Sequence, residues 1–284
     1  MPRANVNGVN LYYEVQGEGY LLVLIQGFGG GSRGWHFQVR TFRKHFKVMA
    51  FDARGIDKSK KSPEPYAIKD LADDIASLMD HLGMERAHIL GMSFGSIVAQ
   101  EFAISHPDRV DRLVLVCATY GDDDPNEVHP EIVSAFGGGR GLEDFDVTSV
   151  DLGKANSVIV NMAFNKRFYR MVLGPMSRWY VKTHGIEGHK GQLEAMAGYK
   201  TLDRLHLITS PTLVMTGTED KIIPPRNSEI IASHIPNARL VKIEGGSHAL
   251  NIEHRKEFNA EVLRFLLESE AEPIHAGATT QIRR

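Results

Sequence analysis

Cysteine is nearly absent: of 284 residues only Cys117 is one. No disulfide can close within the chain, which fits a reducing compartment. The position of Cys117 inside the apolar run Leu113–Ala118 marks it as a buried structural thiol. An excess of charge is missing too, since 33 lysines and arginines face 35 aspartates and glutamates, a formal net charge of −2. No run of like charge exceeds three residues, so neither nucleic acid nor an anionic membrane is an expected partner. Nothing approaches the roughly 18 continuous apolar residues of a membrane span. The first residues, Met1-Pro2-Arg3-Ala4-Asn5, lead into polar sequence without the apolar stretch of a signal peptide. The expectation is a cytoplasmic protein, long enough for one α/β domain carrying an insertion.

What the chain does have is a rhythm. Short apolar runs at Leu21–Ile25, Val48–Phe51, Ala87–Leu90, Leu113–Ala118, Thr212–Thr216 and Arg239–Ile243 read as strands covered on both faces. Between them lie stretches with helical spacing; Ile68, Leu71, Ile75, Leu78, Met79 and Leu82 share one face. That alternation predicts an α/β fold, a mostly parallel sheet with helices on both sides, with Val9–Gln16 as an early edge strand. From Thr119 to about Lys200 the rhythm breaks into a segment rich in methionine and aromatics, including Phe164, Phe168, Tyr169, Trp179 and Tyr180. It is expected to be an inserted helical cap. The organisation is then core over 1–118, cap over 119–200, core again over 201–269, and a polar, flexible tail over 270–284.

The centre of this arrangement is Gly91-Met92-Ser93-Phe94-Gly95, a G-x-S-x-G sequence directly after one strand and before a helix. Such a turn lifts a serine hydroxyl above the sheet edge, at the amino end of the helix. A serine is a poor nucleophile near neutral pH and needs a base with an oriented acid behind it. The chain order Ser, Asp, His is met by Ser93, Asp220 and His248, the last two in loops after late strands. His106, His234 and His254 sit at helix ends and fit less well, while Asp122, Asp123 and Asp124 stay open as alternative acids. Two backbone N–H groups should hold a developing oxyanion: that of Phe94, and that of Phe28 in the glycine-rich loop Gln26–Gly31. Phe28, Phe94 and Trp179 are the expected substrate contacts, which suggests a small, largely apolar substrate. No cofactor or metal is called for, since His184 and His189, five apart, lack an obvious third ligand and read as exposed loop histidines.

Taken together, Gly27-Phe28-Gly29, Asp52-x-Arg54-Gly55, Gly91-Met92-Ser93-Phe94-Gly95, Gly217-x-x-Asp220 and Gly246-Ser247-His248 resemble, in order and spacing, the α/β-hydrolase family from Val9 to Leu267. The resemblance implies an eight-stranded sheet, a cap after the sixth strand, and hydrolysis of an ester or related bond. Within the family the chain is similar to carboxylesterases, enol-lactonases and haloperoxidase-like hydrolases. The elbow serine sets it apart from haloalkane dehalogenases and epoxide hydrolases, which carry aspartate there. Two positions depart from the pattern. Gln26-Gly27 replaces a common His-Gly, and Asp57 stands where the turn after Arg54-Gly55 usually has glycine.

Two rival functions remain open at this level. A hydrolase-fold receptor for a small molecule would keep the three residues and turn over little. An NAD(P)-dependent oxidoreductase would use Gly29-x-Gly31-x-x-Gly34 as a dinucleotide fingerprint with Asp52 as its ribose acid. The large Trp35 after the last glycine speaks against the second. A homodimer is compatible with the sequence.

Overall fold

The computed structural model describes residues 2–62, 64–121, 129–135, 152–172, 175, 187–268 and 279–282. Its strands are β1 (Arg3–Val6), β2 (Val9–Gln16), β3 (Leu21–Ile25), β4 (Lys47–Phe51), β5 (Ala87–Met92), β6 (Val110–Val116), β7 (Thr212–Gly217), β8 (Ala238–Ile243) and β9 (Thr279–Ile282). They form one sheet in the order β1-β2-β4-β3-β5-β6-β7-β8-β9. The pairs β1–β2 and β2–β4 are antiparallel and every other pair is parallel, so β3 and β5 to β8 all end at the same edge.

Side chains alternate across each strand and thereby feed two apolar layers. From β3, Leu21, Val23 and Ile25 enter one layer, with α2 (Ile68–His81) and α3 (Phe94–Ser105). Leu22 and Leu24 enter the other, with Trp35, Phe42 of α1 (His36–Phe42), and Phe258, Val262 and Phe265 of α9 (Arg255–Leu267). Continuous apolar runs in the sequence are thus strands covered on both sides. Between β6 and β7 the described residues contain α4 (Pro130–Ala135), α5 (Leu152–Ala163) and α6 (Glu187–Met196). After β7 and β8 come α7 (Pro225–His234) and the short α8 (Leu250–Glu253). Among the described residues no helix is long and apolar enough to cross a membrane.

The sheet has nine strands where eight were expected, and the ninth lies inside the stretch expected to be a flexible tail. Thr279–Ile282 adds in parallel to β8, whose outer edge would otherwise leave its backbone groups unpaired. Glu244 N–H also donates to the carbonyl of Ile282 at 3.0 Å. Four mostly exposed residues carry no hydrophobic period, so backbone pairing, which the sequence does not display, decides this element.

The turn after β4 is held by charge. Arg54 donates from Nε to Asp74 Oδ2 at 2.6 Å and from Nη2 to Oδ1 at 2.7 Å, a buried two-pronged pair. Asp57 takes the left-handed backbone (φ 45°) that this turn requires, as aspartate can. The Asp52–Arg54 stretch is therefore a structural strand-end turn.

His88, on β5, is buried between the rings of Tyr20 and Phe46 at centroid distances of 4.7 and 5.5 Å. Burial pushes its imidazole down to about 4, against the opposing pull of Asp111. The unfolded chain takes up this proton below its ordinary value of about 6.5, whereas the folded chain does not until near 4. Stability is thus fully present above that ordinary value and is lost as the pH falls between the two. Urea unfolding at about pH 7.5 and about pH 4 should show the parent losing about 3 kcal/mol more than His88→Gln. Equal losses in the two proteins would remove His88 as the cause.

Candidate active site

Steric crowding builds the elbow. A Cβ on Gly91 would lie 2.2 Å from the carbonyl oxygen of Gly95, and one on Gly95 would lie 2.3 Å from that of Ile25, so neither position has room for a side chain. Between them Ser93 is forced to φ 54°, ψ −121°, a conformation costing on the order of 1–3 kcal/mol. Its carbonyl accepts from Ser96 N–H at 2.8 Å and Ser96 Oγ at 2.6 Å, and its own N–H donates to Val116 O at 2.9 Å. Ser93 is thereby fixed at the end of β5, half-buried, at the amino end of α3.

Asp220 and His248 meet two and three strands further along the same edge. Their loops are stitched together by Glu219 N–H to Gly246 O at 2.9 Å, Thr218 N–H to Ile243 O at 3.1 Å, and Gly245 N–H to Thr218 Oγ1 at 2.9 Å. Asp220 Oδ1 accepts the N–H groups of Ile222 and Ile223 at 2.9 and 3.0 Å, and Oδ2 lies 2.8 Å from His248 Nδ1. An ionised carboxylate can only accept, so Nδ1 carries the proton and Nε2 keeps a lone pair, the tautomer a general base needs. The Asp220 side chain is 0% exposed, which strengthens that orientation.

Cys117 is buried as expected, but its surroundings are informative. It follows β6 with φ 46°, and its thiol lies 3.4 Å from the carbonyl of His248. The thiol sulfur, an Asp220 carboxylate oxygen and a His248 ring nitrogen all lie within 4.8 Å of one another. Burial pushes the thiol well above its ordinary range, and the Asp220 charge adds to this. It therefore stays a neutral S–H beside the Asp220–His248 pair, a poor nucleophile or metal ligand. Because Ser93 N–H binds Val116 and the thiol of the next residue supports His248, β6 ties the serine turn to that pair.

The loop after β3 closes the site from the other side. A Cβ on Gly27 would stand 3.4 Å from Ser93 Cβ and 3.9 Å from its Oγ, so this backbone lies directly against the hydroxyl. Gln26 Oε1 accepts Gly27 N–H at 2.8 Å, which shows how glutamine ties the loop down in place of histidine. Phe28 is partly buried against the first core layer. Phe94 is buried within that layer, so its side chain serves packing while its N–H stands at the start of α3. Trp179, His184 and Asp122–Asp124 lie outside the described residues.

His189 is not the exposed loop residue that was expected. It is buried on α6, edge-on to Phe28 at a centroid distance of 5.4 Å, and burial lowers its imidazole below the usual range. The dinucleotide reading fails on geometry. Asp52, the required ribose acid, is buried, with Oδ1 taken by Ser32 N–H at 2.6 Å and Oδ2 by Lys58 N–H at 3.1 Å. The fingerprint glycines lead into a short 3-10 turn at Ser32–Trp35 instead of the open end of an α-helix.

One supporting residue was invisible in the sequence. Glu253, buried, accepts from Ser247 Oγ at 2.5 Å and from the N–H groups of Asn165 and Lys166 at 3.0 and 2.7 Å. It links the residue before His248 to the segment inserted after β6. Neither spacing nor periodicity signals that contact, since the partners are 87 and 88 residues away.

Comparison with known proteins agrees with this geometry. The family model described as alpha/beta hydrolase fold matches residues 20–255. The protein from Caulobacter sp. (strain K31) that carries the name carbamate hydrolase RutD is 29% identical, over 94% of this chain and 98% of its own. Among solved structures, the enol-lactonase from Burkholderia xenovorans LB400 is 28% identical with a TM-score of 0.81, covering 94% of this chain and 100% of the other. Est816, an N-acyl homoserine lactone degrading enzyme, is 27% identical with a TM-score of 0.76, covering 93% and 99%. The chain belongs to the α/β-hydrolase fold family and is a hydrolase of that fold.

Proposed function

We propose that the protein is a serine hydrolase that cleaves a small, largely apolar carboxylic ester or lactone without a cofactor. Ser93 Oγ attacks the acyl carbonyl while His248 Nε2 takes its proton. The tetrahedral oxyanion is held by the N–H groups of Phe28 and Phe94. Collapse expels the alcohol, which receives the proton from His248, and leaves an acyl-enzyme. Water, deprotonated by the same imidazole, attacks that acyl group, and the acid departs with Ser93 protonated again. In a lactone the alcohol stays attached to the acyl group, so a single hydroxy acid leaves.

The observation that carries this reading is the strained backbone of Ser93, held at φ 54° with Gly27 against its hydroxyl. Backbone strain of that kind clusters at active sites, where the surrounding structure holds it. Likeness to an enol-lactonase and to a lactone-degrading enzyme supports an ester or lactone bond. Likeness to RutD makes the carbamate, which differs only in having nitrogen on the other side of the carbonyl, the second bond to test.

The test is labelling with a fluorophosphonate, mapped by mass spectrometry, alongside rates on p-nitrophenyl esters, aliphatic lactones and aryl carbamates. Adduct on Ser93 with repeated turnover of esters or lactones is expected. Adduct with a single slow event on every substrate would make the protein a receptor on a hydrolase fold, and preference for carbamates would move it to the second bond.

A further inference from the structure

We infer that Gln192, on the inserted helix α6, is a positioning residue for the oxyanion loop, so that a residue from outside the core completes the site. The inference rests on the reading of Ser93 as nucleophile and of Phe28 N–H as an oxyanion donor.

The loop is a tight turn. Gly30 N–H donates to Gly27 O at 3.0 Å, which makes Phe28 and Gly29 its two central residues. Gly29 has φ +66°, as the third position of a type II turn requires, while Phe28 is not among the residues of positive φ. Glycine at that position is also the weakness of the device. With no Cβ, the peptide between Phe28 and Gly29 can rotate into the alternative turn at little steric cost, which loosens the backbone bordering the Phe28 donor. An oxyanion donor helps only when it is fixed before the charge develops.

Gln192 supplies the constraint. Its Oε1 accepts Gly29 N–H at 2.8 Å, selecting one orientation of that central peptide. The residue is 1% exposed, so this bond is shielded from competing water. One turn earlier on the same face of α6, His189 fills the space beside Gly29, where a Cβ would lie 2.3 Å from Nε2, and meets the Phe28 ring edge-on. The helix itself is seated on core backbone, since a Cβ on Gly55 would stand 2.9 Å from Gly188 Cα. Among the described residues Gln192 also lines, with Gln26, Gly30, Phe94 and Val98, a small cavity of about 10 Å³.

The test compares Gln192→Met, close in volume but without the acceptor, with Gln192→Glu, which keeps an acceptor oxygen. For Gln192→Met kcat on the best ester is expected to fall about 10- to 100-fold with KM within about threefold, as for a donor displaced by a fraction of an ångström. A trifluoromethyl ketone, whose hemiketal oxygen occupies the oxyanion position, should bind more weakly by the same factor. Gln192→Glu should keep kcat within about fivefold of the parent. If Gln192→Met does not fold, Gln192→Ala reads the same quantities. A methionine or alanine variant with parental kcat, a loss confined to KM with unchanged ketone affinity, or a glutamate variant as impaired as the methionine one overturns the inference. Failure of the parent to label at Ser93 or to turn over any ester is a separate result that removes the serine reading itself.

Discussion

Ser93→Ala is expected to lower kcat/KM on esters by about four to six powers of ten while leaving the fold and substrate affinity in place. The size follows from the role: with the hydroxyl gone there is no acyl-enzyme, and only polarisation by the oxyanion donors remains. Alanine keeps the Cβ and therefore the strain at φ 54°. Ser93→Gly should be equally inactive but more stable by about 1 kcal/mol, because glycine reaches that conformation without penalty. Initial rates on p-nitrophenyl acetate and thermal unfolding of all three proteins check both halves. Parental turnover by Ser93→Ala would end the nucleophile assignment, and equal stability of the two variants would deny that the fold stores strain there.

Asp220→Asn is expected to cost about four powers of ten in kcat with little change in KM. The amide oxygen can still accept the N–H groups of Ile222 and Ile223, so the loop should keep its shape. The amide nitrogen, however, would face His248 Nδ1 as a donor, pushing the ring proton to Nε2 and removing the lone pair that takes the serine proton. The aspartates at 122, 123 and 124 provide the contrast. Each of their asparagine variants should retain most activity, and the reverse pattern, with Asp220→Asn active and one of these inactive, would transfer the orienting role to the loop after β6.

How much of this could be read beforehand depends on the distance over which each feature is encoded. The elbow is local: two glycines, a serine and the strand and helix around them specify the turn within a few residues, and a side chain has no space at positions 91 and 95. The same holds for the buried strands, whose unbroken apolar runs announce cover on both faces. The candidate acid and base could be picked out because a parallel sheet sends the ends of its strands to one edge, so residues just past β7 and β8 arrive at the same edge as the residue just past β5.

The sequence by itself therefore determined the sheet-and-helix class, the hydrolase family and the identity of the candidate serine, aspartate and histidine. Only the tertiary structure decided that Thr279–Ile282 pairs with β8, that Asp52 is consumed by its own loop, and that His189 and Gln192 lie against the turn holding Phe28. The physical reason is range. Turns, caps and apolar periods arise among neighbours, and their residue types show it. A glutamine that binds a backbone N–H 163 positions away looks like any polar residue on a helix until the chain has folded around it.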